Sequence, residues 1–168
     1  MGGLPRALLG LAVLLQACSA SVSVTRKLNT DNAERTIRES YGDLYGTPLD
    51  AVDCPEREAK TGDVFDCTAR IEGQNLSIRV TQRDEKGNVD FVPNQAVLDL
   101  EKAAEVMAQS ISEQTGTPAG VDCGEQRVAV KDVGASFDCQ ATPLAGGASR
   151  RVVVTVENVE GKVDFRLA

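Results

Sequence analysis

Residues 65–80, FDCTARIEGQNLSIRV, contain the pattern that decides the fold. Apolar residues in the first half of this stretch alternate with polar ones, as they do in a strand with one buried face. A polar segment containing Gly73 interrupts the alternation, which resumes at Leu76. Two alternating runs joined by a short turn predict an antiparallel hairpin. The residues predicted to face its buried side are Phe65, Cys67, Ala69, Ile71, Leu76, Ile78 and Val80.

The same arrangement occurs a second time further along the chain. Several short segments of the first copy match segments of the second copy, and the matches occur in the same order in both. Such matches predict an internal repeat, with a first module over residues 28–93 and a second over residues 94–168. The matched segments are Gly46-Thr47-Pro48 with Gly116-Thr117-Pro118, Val52-Asp53-Cys54 with Val121-Asp122-Cys123, Phe65-Asp66-Cys67 with Phe137-Asp138-Cys139, and Val89-Asp90-Phe91 with Val163-Asp164-Phe165.

Each copy begins with apolar residues at spacings of three and four, which is the pattern of an amphipathic helix. In the first copy, Asn29, Thr30 and Asp31 offer side chains that can cap the start of the helix, and Gly42 weakens its last turn. In the second copy, Asp99 can cap the start. The predicted buried stripes are Ala33, Ile37, Tyr41 and Leu44 in the first helix, and Leu100, Ala103, Ala104, Met107 and Ile111 in the second.

Short turns between neighbouring strands complete the predicted fold of each module. Three to four strands form an antiparallel meander, and the helix covers the apolar face of this sheet. Residues 127–131 suggest one further short strand, with a weaker counterpart at residues 57–60, and residues 92–98 connect the modules. The predicted fold class is therefore α+β, with two tandem modules. Because the connection is short, we expect the modules to lie in fixed or nearly fixed apposition, with binding at their junction or across adjacent sheet faces.

Four of the five cysteines form two matching pairs, one in each module. We predict the disulfides Cys54–Cys67 and Cys123–Cys139, because a covalent link stabilises a small module, by about 3 kcal/mol for a loop of this size. A redox couple is an alternative, although redox motifs favour the closer C-x-x-C spacing. A zinc site made by all four cysteines is another alternative, and it requires the two repeats to converge.

The fifth cysteine, Cys18, follows a segment that is typical of an export signal. Residues 7–15 form an apolar run that is too short to span a bilayer as a helix, which needs about 20 residues. Leu15 and Ala17 stand at two positions of a bacterial lipobox, and Gln16 occupies the position where a small residue is more usual. The segment therefore resembles the signal of a lipoprotein.

That resemblance implies a lipoprotein signal peptide over residues 1–17, with Cys18 as the diacylated N-terminus. Residues 18–27 would then tether the modules to the membrane. Acylation also accounts for the odd number of cysteines in an exported protein. The alternative is ordinary secretion, with cleavage after Ala20 and loss of Cys18.

Composition narrows the functions that the chain could have. Its formal charge of −7 disfavours binding to nucleic acid, and the lack of histidine removes Ser-His-Asp catalysis and histidine-ligated metal sites. Neither Lys60 nor Lys102 has a serine in a recognisable motif around it, and no loop has the dense oxygen ligands of a calcium site. We therefore expect no catalytic residue, no metal and no cofactor. The repeated acidic residues, which we expect to keep the surface polar, are Asp53, Asp66, Asp90, Asp122, Asp138 and Asp164.

Residues 52–91 resemble a module of exported actinobacterial proteins, the domain of unknown function family 4333. The segments Cys54-Pro55 and Gly62-Asp63-Val64-Phe65-Asp66-Cys67, followed by a Gly-x-Val hairpin, carry this resemblance. The second copy departs from it, with Gly124 at the position of Pro55 and more residues between its cysteines. The resemblance implies an envelope lipoprotein of the mycobacterial type and implies no activity. In architecture alone, the chain is similar to the secreted β-lactamase-inhibitory protein.

Together these patterns favour a noncatalytic lipoprotein on the extracytoplasmic face of the cell membrane, anchored through Cys18. Its expected partner is another exported protein or an envelope component. The alternative is a protein that inhibits or assists an extracytoplasmic enzyme, which would show a concave sheet surface spanning both repeats. A hydrolase would instead need acidic or Ser/Lys residues that converge in one pocket.

Overall fold

The computed structural model describes residues 26–168, which form two helices and ten strands. The strands make two separate four-stranded antiparallel sheets and one two-stranded sheet. This is the predicted α+β class with two tandem modules. The elements are α1 (Thr30–Tyr45), β1 (Ala51–Asp53), β2 (Val64–Ile71), β3 (Gln74–Gln82), β4 (Val89–Pro93), β5 (Ala96–Asp99), α2 (Leu100–Thr115), β6 (Ala119–Asp122), β7 (Val128–Lys131), β8 (Ser136–Pro143), β9 (Arg150–Val156) and β10 (Val163–Leu167).

The hairpin predicted from residues 65–80 is the centre of the first sheet, whose strand order is β1-β2-β3-β4. Cys67 lies opposite Ile78, and Ala69 lies opposite Leu76. Their side chains share one face and are buried beneath α1 together with Ile37. The alternation in the sequence therefore gives both the strands and the side of the sheet that faces the core.

The second sheet repeats this plan in the order β10-β9-β8-β6. Met107 and Ile111 of α2 pack over Cys139, Val152 and Val154. Each helix thus closes a core of its own against one face of its sheet, as the sequence predicts.

Both helices begin after residues that the sequence marks as possible caps. Asn29 caps α1 by accepting a hydrogen bond from the backbone N–H of Asn32, and Asp99 caps α2 in the same way through Lys102. Gly42 does not interrupt α1, which continues to Tyr45. It ends at Gly46, whose left-handed backbone (φ 61°) suits glycine.

One residue of the predicted helix stripes is placed wrongly by the sequence pattern. Leu44 is 69% exposed and contributes nothing to the first core. The buried side of α1 follows the spacing of four through Ala33, Ile37 and Tyr41, and the half-buried Tyr45 continues that line. Leu44 therefore points to a different side of the helix.

The segment between the two large sheets is more than a connector. Its end forms β5, which pairs antiparallel with β7 as a separate two-stranded sheet. The strand predicted at residues 127–131 therefore exists but does not join the meander. The weaker counterpart at residues 57–60 is reduced to a single bridge between Lys27 and Glu58.

Both predicted disulfides are present, Cys54–Cys67 in the first module and Cys123–Cys139 in the second. Each joins the segment after the first strand of its sheet to the adjacent strand of that sheet. Since all four sulfur atoms are used within their own modules, the zinc alternative does not apply to this structure. Cys18, the predicted signal peptide and most of the predicted tether lie outside the described residues. Within residues 26–168, no helix has the length and apolar character needed to cross a membrane.

Candidate functional site

The two modules are joined through β7, which has a partner on each side. On one side it pairs with β5. On the other side, Gln74 acts like a strand partner, because its Nε2 donates to the carbonyl oxygen of Val128 at 2.7 Å and its Oε1 accepts from the N–H of Val130 at 3.1 Å. Glu72 accepts from the N–H of Val128 at 3.2 Å. Side chains of the first module therefore satisfy backbone groups of the second.

Apolar contacts reinforce this polar join. Val128 is 3% exposed and belongs to the core of the first module, although it lies in the second copy of the repeat. Val97 and Val130 also pack against that core.

At the two ends of the interface, the Arg127 guanidinium donates to the carbonyl oxygen of Gly46, and Gln95 connects the N–H of Ser77 to Asp132. The modules thus form one composite unit.

The position of each helix leaves part of its sheet uncovered. Helix α1 packs closest to β1, and α2 packs closest to β6, so both lie towards the same edge of their sheets. The opposite edges are β4 and β10, whose apolar side chains on the core-facing side are only half-buried. A groove therefore lies beside the last strand of each module.

The groove of the first module is a cavity of about 600 Å³ at the junction. Tyr41 and Tyr45 form one wall, with their rings stacked at a centroid distance of 5.5 Å. Val92 and Pro93 form another wall, and the second module closes the cavity with Val97 and nearby residues. Burial raises the pKa of the Tyr41 phenol to about 12. Burial, together with the charge of Tyr41, raises the pKa of Tyr45 to about 12 as well.

The groove of the second module is a cavity of about 400 Å³ between α2 and β10. Val106 and Met107 line it from the helix, and Val163 and Phe165 line it from the strand. It adjoins the first cavity, because both share four lining residues. These shared residues are Val97, Asp99, Lys102 and Glu160. We refer to the two adjoining cavities together as the junction groove.

The junction groove is apolar at both ends and charged in the middle. Its rim carries Leu44, Val92 and Val106, which are 69%, 57% and 59% exposed. Asp99, Lys102 and Glu160 occupy the centre, with two negative charges against one positive. An apolar surface with a few polar groups at defined positions is typical of a binding site.

The sequence predicts binding at the junction or across adjacent sheet faces, and it does not identify the residues that line the junction groove. One signal that could have found them is an apolar residue outside the predicted helix stripes, such as Val106 on α2. Leu44 gives no such signal, because its spacing fits the predicted stripe of α1. Lys102, which has no serine in a recognisable motif around it, lies at the centre of the groove.

The repeated acidic residues do not form a common site in this structure. All six are exposed, and three of them pair with arginines on or directly after the neighbouring strand. These pairs are Asp66–Arg79, Asp90–Arg83 and Asp138–Arg151. In the described part of the chain, no three acidic or cysteine side chains are grouped as metal ligands.

A comparison with known protein families gives one match, repeated along the chain. The model of the family described as Domain of unknown function (DUF4333) matches residues 13–87 and residues 89–161. No curated protein and no solved structure matches the chain.

Proposed function

The chain belongs to the DUF4333 family, and from the groove between its two copies of that domain we propose that it is a noncatalytic binding protein of the cell envelope. Its partner in this proposal is another exported protein. The observation that carries the proposal is the joining of the modules through β7, because the junction groove takes its lining residues from both repeats. A single module would present only part of it.

The proposal includes a membrane anchor at Cys18. Diacylation there would hold the modules at the extracytoplasmic face, with residues 18–27 as the tether.

The apposition of the modules supports a binding site of fixed shape. A preformed groove of this kind loses less conformational entropy when it binds a partner. Within residues 26–168 the two large sheets are not hydrogen-bonded to each other, so the strand order lends no support to the inhibitor alternative.

Crosslinking from inside the groove tests this function. A photoreactive phenylalanine analogue replaces Leu44, which lines the groove, and in a matched control it replaces Leu144, which is 73% exposed and lies outside it. After irradiation of intact cells, we expect discrete adducts with an exported protein from position 44 and none from position 144. Identical adduct patterns at both positions would contradict a site at the junction.

A further inference from the structure

We propose that the part of the junction groove between α2 and β10 binds an extended peptide segment of an exported protein, which adds a strand to the free edge of β10. This inference rests on the proposed binding function and specifies the chemistry of the partner. The sheet order places β10 at the edge of the second sheet, with β9 on one side and no other strand of residues 26–168 on the other. An edge of this kind presents unpaired backbone donors and acceptors.

The hydrogen-bond pattern identifies which backbone groups face outwards. The N–H of Glu157 donates to the carbonyl oxygen of Lys162, and the N–H of Ala168 donates to the carbonyl oxygen of Arg151, both at 2.8 Å. Antiparallel pairs alternate between bonded and non-bonded. In this register the even-numbered residues of β10 therefore bond to β9. The backbone groups that face the free edge belong to Val163, Phe165 and Leu167.

The corresponding edge of the first module is less suited to a partner strand. The matched residues of β4 are Val89, Phe91 and Pro93, and the same alternation turns them outwards. Proline has no N–H, so this edge lacks the donor that Leu167 supplies in β10. Proline on an edge strand is also a common device against strand addition. The inference is therefore specific to the second module.

The groove beside β10 determines which side chains the segment would carry. Successive side chains of a strand point to opposite faces, so every second residue of an added strand would point to the side of the sheet that α2 covers. That side is lined by Val106 and Met107 of the helix and by Phe165 of the strand. We therefore infer a segment of about five residues, the length of β10, with apolar side chains at alternate positions.

Charge indicates the polar character of the partner. The chain has a formal charge of −7, and the centre of the groove has one more negative charge than positive. A segment with basic residues next to its apolar ones complements this surface, and the attraction increases its rate of association. An acyl chain could fill the same apolar walls, but it would leave the outward N–H and C=O groups of β10 unpaired. We therefore favour a peptide, and a lipid becomes an outcome of the test.

Amide hydrogen exchange on the full exported chain tests the mode of binding directly. The probes are heptapeptides selected on this protein from a random displayed library, and a fluorescent fatty acid serves as the lipid probe. We expect selected peptides to alternate apolar residues and to slow exchange at residues 163, 165 and 167 by about tenfold or more. Residues 164 and 166, which already bond to β9, should change little. If the library yields no binder, if bound peptides leave the three outward amides unprotected, or if only the fatty acid binds, the inference is wrong.

Two pairs of variants separate backbone pairing from occupation of the groove. Val163→Pro removes an outward N–H at the first residue of a strand, where proline is tolerated, and Val163→Ala keeps that N–H. Peptide affinity should be about tenfold lower for the proline variant than for the alanine variant. Val106→Glu should block the groove, whereas Val133→Glu, a change at an exposed valine outside it, should bind normally.

The second pair of variants keeps the test decisive if the proline variant fails to fold. Equal peptide affinities of the Val106→Glu and Val133→Glu proteins would overturn the inference. The proposed function can fail separately. If position 44 yields crosslinks while the outward amides of β10 stay unprotected, the function holds and the strand-addition mode does not.

Discussion

Gln74 of the first module and Val128 of the second are joined by a hydrogen bond of 2.7 Å from the Gln74 Nε2 to the Val128 carbonyl oxygen. The same amide group accepts from the N–H of Val130. A glutamine side chain thus occupies the place of a neighbouring strand beside β7. Because Val128 is also buried in the core of the first module, the two modules share both a polar and an apolar contact. The shape of the junction groove depends on this contact.

Removing the Gln74 amide should weaken the join between the modules. Gln74→Ala leaves a backbone N–H and a carbonyl oxygen of β7 without their partners, and we expect a loss of about 2 kcal/mol in the free energy of unfolding. The measurement is urea denaturation followed by circular dichroism. Gln109→Ala is the matched control, because that amide lies on the exposed side of α2 and bonds only to Glu113 of the same helix. Equal stability of the two variants would show that the Gln74 contact does not hold the modules together.

The local structure of each module could be predicted because its determinants lie close together in the sequence. The hairpin over residues 65–80 follows from a strict alternation, and the helix caps follow from Asn29 and Asp99. The disulfides follow from the repetition of the cysteine pairs. In each case a short pattern fixes the local geometry, and the tertiary structure agrees with it.

The junction could not be predicted in detail because its determinants are distant in the sequence. Residues 128–131 are equally compatible with the meander and with a separate sheet, and pairing with β5 together with the Gln74 contacts decides between them. Val128 has no sequence feature that assigns it to the core of the other module. Leu44 fits a helix stripe by spacing, yet it lies on the rim of the groove, because the core ends at the neighbouring Tyr41 and Tyr45.

Each disulfide should stabilise the chain by a similar amount, because the loops that they close have similar lengths. The sequence separations are 13 for Cys54–Cys67 and 16 for Cys123–Cys139. Replacing either pair by alanine should lower the free energy of unfolding by about 3 kcal/mol. Urea denaturation of the two double variants provides the measurement. An intact mass without the loss of four thiol hydrogens would instead show that the mature protein does not contain both bonds.

The proposed anchor makes a prediction about where the protein is found. Cys18→Ser should release the chain from the membrane, because the serine cannot receive the thioether-linked lipid. After extraction with a detergent that separates into two phases, the wild-type protein should partition into the detergent phase and the variant into the aqueous phase. Ordinary secretion with cleavage after Ala20 predicts the opposite for the wild type, since the mature chain would then lack Cys18. The mass of the mature wild-type protein, with or without a diacylglyceryl group, distinguishes the two.

Alkaline pH should destabilise the fold through the stacked pair Tyr41 and Tyr45. Burial raises both pKa values from 10.0 to about 12, so the folded chain keeps the phenols protonated at pH values where the unfolded chain has ionised them. Between these pH values the unfolded state binds fewer protons than the folded state, so the free energy of unfolding falls as the pH rises. The contribution of the two tyrosines to stability is therefore complete below pH 10 and is lost as the pH rises towards 12. Since these are the two tyrosines of a chain without tryptophan, ultraviolet titration of phenolate absorbance follows them directly. We expect a midpoint near pH 12 for the folded protein and near pH 10 in urea. Tyr45→Phe should halve the amplitude of the phenolate absorbance change and make the alkaline loss of stability less steep. If the tyrosines of the folded wild type titrate near pH 10, the phenols of the groove are open to water and the prediction is wrong.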